Sequence, residues 1–129
     1  MGGRMKSPWK SIAAFEPDRE YFVLASSIPP LSRSSTLRLF KGASEVRKQL
    51  ARTEGLVGFS LLARPARKQY ATLSVWLDEA ALVAFADASP HRELRADLAP
   101  EMGATKFVRW TIEGSAGRPS WRDAMHRLG

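Results

Sequence analysis

Two short stretches of alternating side chains, residues 56–63 and 69–77, lie five residues apart. That spacing constrains the chain more than any other feature. A connection of five residues joins neighbouring antiparallel strands and is too short for a crossover. The loop Arg64-Pro65-Ala66-Arg67-Lys68 is polar and holds a proline, as a hairpin loop should. The second strand then runs through Val75-Trp76-Leu77 into Asp78. Asp78 is an N-cap residue, so the strand passes directly into a helix carrying Leu82, Phe85 and Ala86 on one side.

The flanks extend this unit. Residues 21–26, Tyr-Phe-Val-Leu-Ala-Ser, read as a strand that Pro29-Pro30 ends. Ser34 or Ser35 can cap a helix running to about residue 53, with Leu37, Phe40, Ala43, Val46 and Leu50 on one face. Gly42 weakens that helix and permits close packing, and Gly55 ends it. Ser89-Pro90 opens a short helix presenting His91, Leu94 and Leu98, which Pro100 and Gly103 stop. Residues 105–113 form a last strand, and Ser120 caps a helix over 121–128. The expected division is a flexible arm at 1–19, a domain at 20–113, and a linker with a short helix at 114–129.

The order β-α-β-β-α-β predicts an α+β fold, ferredoxin-like, with a four-stranded antiparallel sheet. Strand parity sets the faces. Leu73, Val75 and Leu77 oppose Tyr70, Thr72, Ser74 and Trp76; Val57, Phe59 and Leu61 oppose Leu56, Gly58, Ser60 and Leu62; Val108, Trp110 and Ile112 oppose Phe107, Arg109 and Thr111. Two helices cover one face only, and the other still carries large apolar residues. Such a face asks for a partner, and a sheet-to-sheet homodimer is the economical one.

Charge and composition exclude several classes. The chain has no cysteine, hence no disulfide, zinc–thiolate site or thiol nucleophile. No apolar run is long enough to cross a membrane, and no secretory signal core is read, so cytoplasmic residence is expected. Net charge is +7, and residues 31–70 hold nine Lys/Arg against Glu45 and Glu54, the whole excess. A basic segment at 33–68 raises nucleic acid as a partner. Single-strand binding wants interleaved aromatics, and between Arg33 and Arg67 the chain has only Phe40 and Phe59. A solvated helix face is the better reading, and nucleic acid is not expected.

The run Thr72-Leu73-Ser74-Val75-Trp76-Leu77-Asp78-Glu79-Ala80-Ala81-Leu82-Val83-Ala84-Phe85, with Ser89-Pro90-His91-Arg92 and Phe107-Val108-Arg109-Trp110, resembles the antibiotic biosynthesis monooxygenase superfamily of dimeric α/β-barrel proteins. The Ser-Pro-His-Arg element is also similar to the spheroidene monooxygenase-like branch. The resemblance covers residues 20–113. It implies a homodimer and a helix–sheet pocket for a small hydrophobic or aromatic ligand. Activities in the superfamily range from cofactor-free oxygenation to haem degradation, and some members have none assigned. The haem-degrading pattern is absent: its Trp position falls on Phe85, its His position on Arg95, and the first strand has no Asn. Haem held through His91, one turn from Arg95, stays open, and no cofactor is required.

The candidate catalytic residue is His91. Near a helix start its imidazole is held neutral, ready to accept a phenolic proton. The plainer reading is a histidine that hydrogen-bonds locally beside Leu94. Trp76 stacks on a flat ligand or plugs the core. Arg109, a mid-strand charge, needs an anionic ligand or Glu113 as partner. Ser74 and Tyr70 share parity with Trp76 and add hydroxyls to the same wall. No metal-ligand spacing, phosphate loop or nucleophilic triad is present. Three functions follow: an oxidising enzyme, a non-catalytic binding or structural module, and, least expected, a nucleic-acid binder.

Overall fold

A computed structural model describes residues 5–6, 9–29, 33–64, 69–101 and 105–129. The strands are β1 (Met5–Lys6), β2 (Lys10–Ser11), β3 (Glu20–Ile28), β4 (Leu56–Arg64), β5 (Gln69–Trp76) and β6 (Lys106–Glu113). The helices are α1 (Arg33–Ala51), α2 (Glu79–Ala86), α3 (His91–Leu98) and α4 (Trp121–Leu128). The sheet order is β1-β4-β5-β3-β6, with β2 also on β4 and every pairing antiparallel. The α+β, ferredoxin-like order of elements expected from the pattern is present. The caps Ser34 and Ser35 and the inward positions Leu37, Phe40 and Ala43 lie outside the described side chains, as do Arg64 and the loop 65–68.

The sheet has two covered faces. On the upper face, α1 and α2 bring Leu50, Leu82 and Phe85 onto Leu56, Phe59 and Trp76. Farther along it, Leu98 of α3 closes on Ala63 and Tyr70. Gly42 lets α1 and α3 approach, since a Cβ there would lie 2.3 Å from Leu94 Cδ1. On the lower face, Tyr21, Val23, Ala25, Leu73 and Val75 are buried beneath Trp121, Ala124 and Leu128 of α4.

That lower cover changes the ground on which a partner was expected. Helices were expected on one face only, and the structure places α4 on the other. The reason is local: Trp121, Ala124, Met125 and Leu128 fall at steps of three and four and form one apolar stripe. Ser120 caps the helix through Asp123 N–H. Trp121 fixes its height, its indole N–H donating to Ser60 Oγ at 2.9 Å. Arg127 lies 4.5 Å from the centre of the Trp110 ring, covering the β6 end of the same face.

Two further details differ from the pattern. The arm was expected to be loose, yet residues 5–6 and 10–11 pair with the outer edge of β4. Trp9 lies over Gly58, where a Cβ would stand 2.5 Å from the indole ring. An edge strand offers unpaired backbone groups, and the arm satisfies them. The second difference is in β4. Its register slips between Leu56 and Gly58, so Leu56 opposes Trp76 while Gly58 opposes Val75. The bulge turns Val57 to the lower face and leaves Leu56, Phe59 and Leu61 on the upper one. Strict alternation had grouped Val57 with Phe59 and Leu56 with Leu62.

Candidate functional site

The upper face is where the expected site residues lie. Pairing register aligns Arg109 of β6, Leu24 of β3, Ser74 of β5 and Phe59 of β4 in one row across the sheet. The next row holds Thr111, Phe22, Trp76 and Leu56. Arg109 therefore shares a face with Trp76. It stands two strands from Ser74, about 10 Å.

Trp76 and Ser74 are brought into contact. The Trp76 indole N–H donates to Ser74 Oγ at 2.8 Å, and both side chains are buried. Trp76 is in part the core plug: its ring lies 5.3 Å from that of Phe85. Phe85 in turn lies 5.0 Å from the His91 ring. So Trp76 and His91 are joined through Phe85 and not directly.

His91 is half-buried at the start of α3. Its Nδ1 lies 3.0 Å from the Ala86 carbonyl oxygen, which selects the tautomer protonated at Nδ1 and leaves Nε2 as the basic nitrogen. Burial lowers its pKa below the ordinary 6.5, opposed by the Ala86 carbonyl and aided by Arg95. The imidazole is neutral, as the sequence suggested, with burial as the leading cause. Its backbone N–H donates to Gln49 Oε1 at 3.0 Å, while Gln49 Nε2 donates to the Phe85 carbonyl at 3.2 Å. Gln49 thus ties α1 to the α2–α3 junction. Sequence reasoning missed it, although its position three residues after Val46 puts a polar side chain beside the inward stripe. Ser89, expected as a cap, instead donates to Glu93 Oε1 at 2.7 Å.

Arg109 does not pair with Glu113. Its Nη1 lies 3.9 Å from Glu79 Oε2 in the first turn of α2, and each side chain is 59% exposed. The contact bridges β6 to α2 over β3. Beneath it Phe22 and Leu24 are half-buried, and Phe107 on the same face is 60% exposed. The helices cover β4 and β5 and leave the β3–β6 side of this face open.

Tyr70 belongs elsewhere. It packs with Ala63 and Leu98, six residues along β5 from Trp76, a span of about 20 Å. Burial pushes its pKa up to about 12, against a lowering by Arg47, so its hydroxyl stays protonated. Between the two, the Ser26 and Thr72 hydroxyls hydrogen-bond to each other. The basic residues Arg38, Lys41, Arg47 and Lys48 of α1, and Arg52 just after it, are exposed, with Lys48 near Glu45 at 3.4 Å. Among the described residues no group of three His, Asp or Glu could hold a metal ion, and no helix is long and apolar enough to cross a membrane.

Comparison of folds adds an independent line. No family model matches the sequence, and no curated protein matches it. Solved structures do match. SnoaB, a cofactor-independent oxygenase from Streptomyces nogalater, superposes with a TM-score of 0.57 at 14% identity, over 71% of this chain and 92% of its own. An antibiotic biosynthesis monooxygenase superposes at 0.62 and 11% identity, over 69% of this chain and 95% of its own. A Fusobacterium nucleatum protein whose name proposes a monooxygenase superposes at 0.68 and 11% identity over 81% of this chain, which spans 50% of that longer one. At such identities the likeness is one of fold: the chain has the ferredoxin-like fold of antibiotic biosynthesis monooxygenases.

Proposed function

We propose that this chain is a monooxygenase-like protein that binds a small hydrophobic or aromatic molecule on the upper face of its sheet and oxidises it there. The observation that carries the reading is the open strip between α2 and β6. It combines an apolar floor, Phe22 and Leu24, with an exposed ring, Phe107, and a cation, Arg109. The fold shared with SnoaB supports the reaction class.

In this reading the flat body of the ligand lies on Phe22 and Leu24 beside Phe107. Arg109 stands at the rim as counter-charge to a phenolate or carboxylate. Ser74 and Trp76 form the fixed wall behind the floor. His91, neutral with a basic Nε2, is the group suited to accept a phenolic proton, which makes the ring more electron-rich toward dioxygen. Tyr70 takes no part, because it is too far along the strand.

A second reading, a binding module of the same fold without catalysis, is favoured by one observation. Phe85 lies between His91 and Trp76, so the candidate base and the candidate wall do not touch.

Oxygen uptake with a panel of planar phenols and polyenes separates the readings. Uptake that falls about 10²–10⁴-fold in His91→Ala is expected of the enzyme. Saturable binding without uptake selects the module. Neither binding nor uptake across the panel overturns both. Arg109→Gln should weaken a carboxylated ligand about three- to tenfold more than its uncharged analogue, the modest value fitting an exposed charge.

A further inference from the structure

We propose that Glu79 is the specificity-determining residue of the open strip: its carboxylate holds the place on Arg109 that the acidic group of the ligand takes on binding. The inference rests on the reading above, that a ligand occupies this strip, and adds which ligands it admits. Arg109 Nη1 and Glu79 Oε2 lie 3.9 Å apart. Arg109 ends the row that runs through Leu24, and Thr111 and Phe22 make the next row. Glu79 reaches Arg109 from the opposite side, in the first turn of α2, just beyond the end of β5. The contact therefore passes across β3, above Phe22 and Leu24. A flat ligand seated on that floor meets the pair and has to part it.

The pair is built to exchange. At 3.9 Å it is a contact of charges without a hydrogen bond, and both side chains are exposed, so it holds weakly. Glu79 has a second place to rest, because the N-terminal turn of α2 favours a negative charge whether or not Arg109 is near. Arg109 has less to fall back on. Glu113, on the same face, stands four residues along β6, about 13 Å away. A neutral ligand that parts the pair leaves the guanidinium without its carboxylate, whereas a carboxylate or phenolate takes over from Glu79. The strip also has a direction. Glu20 and Glu113 lie opposite each other beyond Phe22 and Thr111, both exposed, and make that end negative. An acidic ligand therefore turns its apolar body the other way, toward Leu24 and Phe107. Val83, half exposed one turn after Glu79 on the same side of α2, adds an apolar bank there. The ligand class that fits is a planar aromatic acid carrying one negative charge.

The test titrates the full chain with 2-naphthoate and with its uncharged counterpart, 2-naphthamide, followed by NMR. Glu79→Gln removes the competing carboxylate. It should tighten 2-naphthoate about two- to fivefold relative to 2-naphthamide, the range that one exposed ion pair carries. Glu113→Gln removes the same charge without touching Arg109, and should leave that ratio within about 1.5-fold of the wild type. With 2-naphthoate at saturation, the Arg109 Nε–H signals of the wild type and of Glu79→Gln should converge, because Glu79 no longer touches the guanidinium in either. Signals that stay apart, or equal effects of Glu79→Gln and Glu113→Gln on the ratio, would overturn the role of Glu79 and leave the ligand reading standing. If neither probe shifts the backbone amides of Leu24 and Phe107, the ligand reading and this inference fall together.

Discussion

Ser74 accepts the indole N–H of Trp76 two residues farther along the same strand, inside a wall that water does not reach. The bond fixes the orientation of the Trp76 ring, with the Phe85 ring tilted 40° against it at 5.3 Å. It also explains why a serine sits in the middle of a buried strand: the donor beside it has to be satisfied.

Ser74→Ala removes the acceptor and leaves the N–H buried. The expected loss is about 1–3 kcal/mol of folding stability. Urea unfolding measures it. Trp76→Phe placed on top of Ser74→Ala removes the donor as well, so the two losses should be far from additive. Additive losses would mean that the bond contributes nothing.

The α4 cover makes a sharper demand. Ala124 has no exposed surface and faces the sheet. Ala124→Glu would bury an unpaired charge and should cost about 3–5 kcal/mol. A helix that merely trails the domain would accept the same change with less than about 0.5 kcal/mol. Chemical denaturation, with hydrogen exchange at β3 and β5, distinguishes the two.

His91 sets a pH dependence. Its folded pKa lies below the ordinary 6.5, chiefly through burial. Protonation therefore favours the unfolded chain. The His91 contribution is complete above about pH 6.5 and is lost as pH falls below that value toward the folded pKa. His91→Gln should remove that part of the slope, which lies below about pH 6.5. An imidazole proton resonance titrating at or above 6.5 would contradict the assignment.

Most of the architecture was legible because it is local. Alternation marked β4, β5 and β6. Asp78, whose Oδ1 accepts the Ala81 N–H at 2.9 Å, marked the start of α2. Parity grouped Ser74 and Tyr70 with Trp76, and Arg109 with Phe107 and Thr111; only the pairing register relates the two strands and puts Arg109 on the face of Trp76. What parity cannot give is distance along a strand, and Tyr70 proved remote from Trp76 for that reason. The bulge at Val57 was hidden because two residues there oppose one, and a simple count of two cannot register it. The stripe Trp121, Ala124, Leu128 was visible, but the surface it covers depends on where the chain returns after Gly117. Glu79 as the partner of Arg109 was out of reach, since the two meet only across β3 once α2 has folded back onto β5. The arm gave no strand pattern because only two residues pair at a time.

The most direct test of the account follows the four tryptophan indole N–H signals while a planar phenolic ligand is added. Trp76 belongs to the upper face, whereas Trp9, Trp110 and Trp121 pack against the lower one. Binding on the upper face should give saturable shifts at Trp76 and at the backbone amides of Leu24 and Phe107, with Trp9 and Trp121 unmoved. Shifts confined to Trp9, Trp110 and Trp121, or none at any indole with every ligand in the panel, would contradict it.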